Sequence, residues 1–248
     1  MNKNVVFIVN IKDQHIITRS TPYQFSIDSW KIWCDTNNCE LFVLEDRIYP
    51  KEVMNANWHK LFVFDLLEAN DIKYNQILIV DADTIPHPDS PNIFDYTNNK
   101  YGVVRNYGSM DWVCRSYENY KKLLFPNVTY SPTDYFNSGV IVLNKQHRDF
   151  YKKTQTLYLE QYEFIKTIQQ NYGVGTDQPV LNFMSRQENV DIEYLPYEWN
   201  MQDIGRFEIL NNDLPFINCG WIFHYCAIPG GDDATYYWME KTFNKLYK

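Results

Sequence analysis

The 248-residue sequence predicts an α/β fold in one domain, built on a sheet with a parallel core. Three observations carry this. Short β-branched runs alternate with stretches of helical period, the pattern of strands joined by crossover helices. The clearest run, Ile77–Asp81 (ILIVD), stops abruptly in carboxylates, as strands of open α/β sheets do where they face a ligand. No linker, repeat or low-complexity tract divides the chain. With 45% apolar and 22% charged residues the chain is globular, and a chain this long buries roughly 70–75% of its unfolded surface, so it needs no staple to fold.

Val5–Ile11 (VVFIVNI) reads as a buried strand, and Ser26–Asp35 as a helix capped by Ser26 or Asp28. Glu40–Glu45 (ELFVLE) is a second strand, which gives the strand–helix–strand order of a parallel pair. His59–Asn70 is a helix with Phe62, Leu66 and Ala69 on one face. Arg105–Asp134 has no clean period and reads as loops with a short helix. Val140–Leu143 is a buried strand. Gln146–Gln170 places Phe150, Leu157, Phe164 and Ile168 at helical spacing and ends near Gly173, a left-handed cap. From Asn189 onward the elements are short.

Charge and cysteine usage exclude several classes. The 23 Lys+Arg against 31 Asp+Glu leave a net charge of −8 with no basic cluster, which argues against nucleic acid and anionic lipid as partners. The five cysteines, Cys34, Cys39, Cys114, Cys219 and Cys226, form no Cys-x-x-Cys pair, so the expectation is reduced thiols and a cytoplasmic location. The apolar run before Asn10 is too short for a signal peptide, and no stretch approaches a membrane span. The 17% aromatic content is assigned first to the core and second to sugar-stacking surfaces.

Chemistry concentrates at Asp81-Ala82-Asp83. Alternate residues of an extended chain share a face, so both carboxylates point one way while Ala82 faces the core. Two hard oxygen ligands suit Mg²⁺ or Mn²⁺ together with phosphate oxygens. Left without a cation, one of the pair would tend to take up a proton.

From Lys60 to Asp95 the sequence (KLFVFDLLEANDIKYNQILIVDADTIPHPDSPNIFD) resembles glycogenin-like retaining glycosyltransferases, glycosyltransferase family 8. Tyr135–Asn144 (YFNSGVIVLN), Gly175–Asn182 (GTDQPVLN), Leu195-Pro196 with Asn200, and Phe223-His224 are similar to further family segments in the family's order. The resemblance implies a GT-A fold, a Rossmann-like mixed sheet flanked by helices, in which residues 1–100 bind nucleotide and 101–248 bind sugar and acceptor. It implies a nucleotide-sugar donor, commonly a UDP-sugar, a glycan or other hydroxyl acceptor, and Mn²⁺ or Mg²⁺.

The same resemblance implies roles. Asp81, Asp83 and His224 hold the metal, and Asp81, Ala82 and Asp83 also line the donor, the first acid touching the ribose. Lys60 reaches the donor's phosphates or sugar, where the residues alone suggest an exposed helix lysine. Asn137, Ser138 and Gly139 contact the sugar, and Asn10 and Ile11 lie by the nucleobase and ribose. Asp177 and Gln178 sit by the anomeric carbon, Asp177 as nucleophile or electrostatic stabiliser. The family's lysine after the histidine is missing, with Ala227 and Gly230 at the motif positions; Lys241, Lys245 and Arg206 are the candidate replacements. Trp112, Tyr130 and Trp199 are the candidate stacking rings. Two rivals stand beside this reading. One is a haloacid-dehalogenase-like phosphohydrolase, disfavoured by Ile85 and by the position of the motif a third of the way along. The other is a non-catalytic carbohydrate-binding protein on the same scaffold.

Overall fold

β1 (Lys3–Val9), β2 (Glu40–Leu44) and β3 (Tyr74–Asp81) form the parallel half of a six-stranded sheet in the computed structural model, which describes residues 2–11, 20–205 and 213–248. α1 (Ser20–Thr36) is the crossover between β1 and β2. The other half of the sheet is not parallel throughout. β6 (Phe136–Asn144) runs antiparallel between β3 and β5 (Tyr101–Arg105), and β7 (Ile192–Leu195) closes the edge parallel to β5. The sheet is therefore mixed, as the family resemblance implies. A separate ribbon pairs β4 (Thr84–Pro86) with β8 (Ile222–His224).

The central strands are apolar on both faces because both are covered. Val5, Phe7, Ile77, Ile79, Ile141 and Leu143 join the core beneath α2 (Val63–Ala69), α4 (Arg148–Tyr172) and α5 (Asp177–Gln187). The alternate residues Val6, Ile8, Leu78, Val80, Val140 and Val142 pack with Trp30 and Trp33 of α1. A third cluster joins Ile85, Phe223 and Tyr225 to Met239 of the C-terminal helix α6 (Gly231–Tyr247). Most of the aromatic excess is consumed here: Trp30, Trp33, Trp58, Tyr101, Tyr120, Tyr135, Tyr151 and Tyr225 are among the largest fully buried side chains.

Several elements differ from the sequence reading, each for a local reason. The helix expected over His59–Asn70 is a 3₁₀ helix over Ala56–Phe62 and α-helical only from Val63. Trp58 through Phe62 are all buried, so the 3₁₀ segment shows no one-sided face, and Ala69, at the end of α2, is exposed. Arg105–Asp134 contains a full α-helix, α3 (Met110–Leu123), capped by Ser109 accepting from Trp112 N–H. Its inner face is Val113, Ser116, Tyr117 and Tyr120, so a polar serine and two hydroxyl-bearing rings disguise the period. In α4 the buried stripe runs through Thr154, Tyr158 and Ile165, while Phe164 is 40% exposed. α6 has 17 residues, so the C-terminal region is not made only of short elements. Gly173 does end α4 in the left-handed region, at φ 57°. No described helix is long and apolar enough to cross a membrane, and the five cysteines are free thiols.

Phe183 of α5 shows how the aromatic core is held. It stacks on Phe125 at 4.9 Å and on Tyr117 at 5.5 Å, with no accessible surface. Phe183→Ala is expected to cost about 3–5 kcal/mol through lost burial and an unfilled cavity, read as a lower urea midpoint at unchanged slope.

Candidate active site

β3 ends at Asp81, and the chain turns through Ala82 and Asp83 before β4. The two carboxylates thus share a face because of a turn, not because the strand continues. Thr84 fixes that turn: its Oγ1 donates to the Asp81 carbonyl at 2.7 Å and accepts from Trp30 Nε1 at 3.0 Å. Ala82 is half-buried against the Trp30–Trp33 cluster, as its place between the two acids predicts.

The ribbon then brings in the distant histidine. Thr84 lies opposite His224 in the β4–β8 register, and Tyr225 N–H donates to the Asp83 carbonyl at 2.8 Å. His224 Nε2 consequently stands 3.2 Å from Asp83 Oδ1 and 3.9 Å from Asp81 Oδ2. One ligand atom from each of the three residues falls within 4.8 Å of the others. Two carboxylate oxygens and an imidazole nitrogen are a donor set that suits Mn²⁺ or Mg²⁺, and the site fits a hard divalent ion.

His224 is oriented from behind. Its Nδ1 is 2.9 Å from Asn200 Oδ1, while Asn200 Nδ2 donates to Asn137 Oδ1 at 2.9 Å. With Asn200 presenting oxygen, Nδ1 carries the proton and Nε2 is left as the ligand atom, the usual support for a metal-binding histidine. Gly139 N–H donates to the same Asn137 oxygen at 2.8 Å. A Cβ on Gly139 would fall 2.2 Å from His224 Cε1, so only glycine lets the ring lie here. Burial disfavours the imidazolium, but Asp83 and then Asp81 outweigh it and raise the His224 pKa. Burial would raise Asp83 too; His224 overcomes it and holds that carboxyl below its usual range.

Lys60 is not the exposed helix lysine its sequence position suggests. It is 1% exposed and its three N–H bonds have three acceptors: Asp81 Oδ1 at 2.6 Å, Asp177 Oδ2 at 3.1 Å and the Ser138 carbonyl at 3.1 Å. Burial opposes the ammonium, but Asp177 and Asp81 together hold it charged, above its ordinary pKa. Asp81 itself is raised, by burial first and by Asp83 among its neighbours, against the pull of Lys60.

Asp177 opens α5 and is 4% exposed. Its Oδ1 accepts from Asn57 Nδ2 at 2.6 Å and Thr176 Oγ1 at 2.9 Å, and its Oδ2 from Ser138 Oγ at 2.9 Å as well as Lys60. Burial would raise its pKa; Lys60 first, then Asn57, bring it below the usual carboxylate value. Gln178 Oε1 accepts from Ser138 N–H at 3.1 Å and its Nε2 donates to Asn106 Oδ1 at 3.2 Å. Asn10 follows β1, whose Val9 pairs with Asp81. Asn10 is 3% exposed, and its Nδ2 has no partner among the described residues; Ile11 beside it is half-buried.

The structure thus gathers Lys60, Asp81, Asp83, Asn137, Ser138, Gly139, Asp177, Gln178 and His224 into one bonded network. Asn57 and Asn106 were missed, since a lone asparagine carries no pattern; Asn200 lay in a noted segment without an assigned role. Of the proposed stacking rings only Trp199 is buried; Trp112 and Tyr130 are half-buried. Trp199 is 3% exposed. Tyr130 lies edge-on to Phe183 at 5.2 Å, and Trp112 packs edge-on to Tyr135. Of the candidates to replace the missing lysine, Lys245 is paired with Asp213 and Lys241 lies over the Trp238 ring. Arg206 lies outside the described residues.

Residues 4–228 match the family model for glycosyl transferase family 8. No curated protein matches the chain. Among solved structures, a glycosyltransferase involved in glycosylation of the major capsid of PBCV-1 is similar at 11% identity and a TM-score of 0.58, covering 97% of this chain and 99% of that one. The galactosyltransferase LgtC, solved with donor and acceptor sugar analogs, has 14% identity and a TM-score of 0.54, covering 99% and 96%. The bifunctional glycosyltransferase WbbM has 16% identity and a TM-score of 0.57, covering 99% of this chain and 50% of that one. These likenesses establish the GT-A fold.

Removal of Lys60 should expose the strength of the ion cluster. Lys60→Met leaves the buried Asp177 carboxylate without its cation and is expected to cost about 3–5 kcal/mol at neutral pH. Because the Asp177 pKa is depressed in the folded state, its stabilisation is present above the ordinary carboxylate value and is lost as pH falls through the folded one. The gap between wild type and Lys60→Met in urea midpoint should therefore narrow in acid.

Proposed function

The chain belongs to glycosyl transferase family 8, and on that premise we propose that it is a metal-dependent, retaining glycosyltransferase that moves a sugar from a UDP-sugar to a hydroxyl acceptor. The observation that carries the reading is the convergence of Asp81, Asp83 and His224 from opposite ends of more than half the chain. A β-ribbon, a glycine and two asparagines are arranged around that one point. The family membership displaces the phosphohydrolase alternative.

Asp81, Asp83 and His224 would hold Mn²⁺ or Mg²⁺, which when bound neutralises charge on the departing diphosphate. Asn200 keeps His224 Nε2 directed at the two acids. Lys60, all three of its N–H bonds committed within the protein, holds Asp81 and Asp177 in place and adds positive potential beside the phosphates. Asn137, Ser138 and Gly139 form the sugar wall. The Asn10 amide, without a partner among the described residues, supports with Ile11 a nucleoside subsite, since a buried donor without an acceptor is costly unless a ligand supplies one.

Asp177 and Gln178 stand at the reacting end of this arrangement. Four donors already occupy the Asp177 carboxylate, which reduces its nucleophilicity. It therefore acts as a fixed negative charge favouring an oxocarbenium-like transition state. This favours attack on the same face as the departing phosphate over a covalent intermediate on Asp177. Residues 1–100 supply the nucleotide half of the site and 101–248 the sugar and acceptor half. The five free thiols support a reducing, cytoplasmic compartment.

Mn²⁺ and UDP at about one hundred times their dissociation constant should add about 2.7 kcal/mol of stability, a rise of roughly 5–10 °C in Tm for a chain of this size. Slow Mn²⁺-dependent hydrolysis of one UDP-sugar from a panel should accompany it. Asp83→Ala should abolish both. Asn200→Ala should weaken Mn²⁺ binding about 10–100-fold, as loss of a supporting hydrogen bond to a metal ligand does. Stabilisation without hydrolysis or transfer from any common donor would favour the non-catalytic binder.

A further inference from the structure

Residues 173–176 join α4 to α5 and deliver Asp177 to the site. Their sequence, Gly-Val-Gly-Thr, has little conformational preference of its own, and Gly173 stands in the left-handed region at φ 57°. α5 opens with no side-chain cap. Thr176, at the capping position, instead donates its hydroxyl to Asp177 Oδ1 at 2.9 Å and accepts from Asn57 Nδ2 at 2.6 Å. The path of the loop is therefore set by another element.

That element is α3. Arg115 Nη1 donates to the Tyr172 carbonyl at 3.3 Å and to the Gly173 carbonyl at 3.2 Å, which closes the C-terminal end of α4. Ser116 Oγ accepts from Gly175 N–H at 3.2 Å. Tyr120 Oη donates to the Gly175 carbonyl at 2.9 Å and lies 3.5 Å from that of Thr176. Ser116 and Tyr120 are one turn apart on the same face of α3, so both polar groups of residue 175 are bonded to one helix. Neither side chain has accessible surface, which leaves no room for water to replace either bond. Gln169 Nε2 approaches Tyr120 Oη at 3.4 Å and orients the hydroxyl. Trp112 completes the grip: a Cβ on residue 175 would fall 2.7 Å from its Cζ2 and 2.9 Å from Pro179 Cδ.

We infer that Ser116 and Tyr120 are positioning residues for Asp177, acting through the backbone of Gly175. The inference rests on the glycosyltransferase reading above, in which the Asp177 charge favours the transition state, and it names the residues that place that charge.

Mn²⁺-dependent hydrolysis kinetics of the full chain with UDP-glucose, UDP-galactose and UDP-xylose, run well below every melting point, test it. For the donor the wild type hydrolyses, Tyr120→Phe should lower kcat about 10–100-fold, the effect of a small misplacement transmitted from a distance. KM and UDP affinity should stay within about twofold, because an interaction made only in the transition state is lost from kcat. Ser116→Ala should show the same split, and it decides the question if Tyr120→Phe does not fold. Tyr247→Phe, which likewise removes one hydroxyl from a backbone carbonyl, that of Pro86 at 2.6 Å, should change neither constant. A lower Tm at unchanged kcat in either folded variant, or an equal loss of kcat in Tyr247→Phe, overturns the positioning role while wild-type hydrolysis still upholds the enzyme. Absence of hydrolysis by the wild type overturns both.

Discussion

One buried ammonium organises this centre. Lys60 lies between a carboxylate at the end of the central strand and another at the start of α5, with its third N–H on the backbone of β6. A charge removed from water costs several kcal/mol unless its partners are close and its hydrogen bonds complete. Here both conditions are met, and they tie three separate elements to one atom. Asp81 can therefore face Asp83 and His224, the candidate cation ligands, with one oxygen while the other is anchored. The sheet, the 3₁₀ helix and α5 are positioned by the same requirement.

The second constraint is steric. His224 reaches the carboxylates only because β8 pairs with β4 and because residue 139 lacks a side chain. Asn137 serves both purposes, accepting from the Gly139 backbone and from the Asn200 amide that orients the imidazole. The Asn-Ser-Gly segment thus backs the His224 ring at the candidate cation site, in addition to any contact it makes with a sugar.

Motifs that lie within one local element were legible in the sequence. The apolar run before Asp81, the Asn137–Gly139 segment entering β6, and Asp177-Gln178 opening α5 each announce both their structure and their place. What depended on tertiary packing was not. Lys60 reads as a surface residue because its two counter-charges are remote in sequence. α3 was hidden because its buried face is tyrosine and serine, which hydropathy counts as polar. Trp199 reads as a platform from its position in the chain alone, whereas Tyr96 and Trp221 pack against it. The 3₁₀ geometry of Ala56–Phe62 left no trace in composition, and Lys60 is one of five consecutive buried residues in it.

The β4–β8 ribbon has a temporal consequence. During synthesis the sheet's six strands and the first two acidic ligands emerge from the ribosome before the histidine does. A chain released short of residue 222 has no β8, so it presents two acids, a lysine and no imidazole. The meeting of the three side chains is thereby deferred until β8 has been translated, well after both acids have emerged.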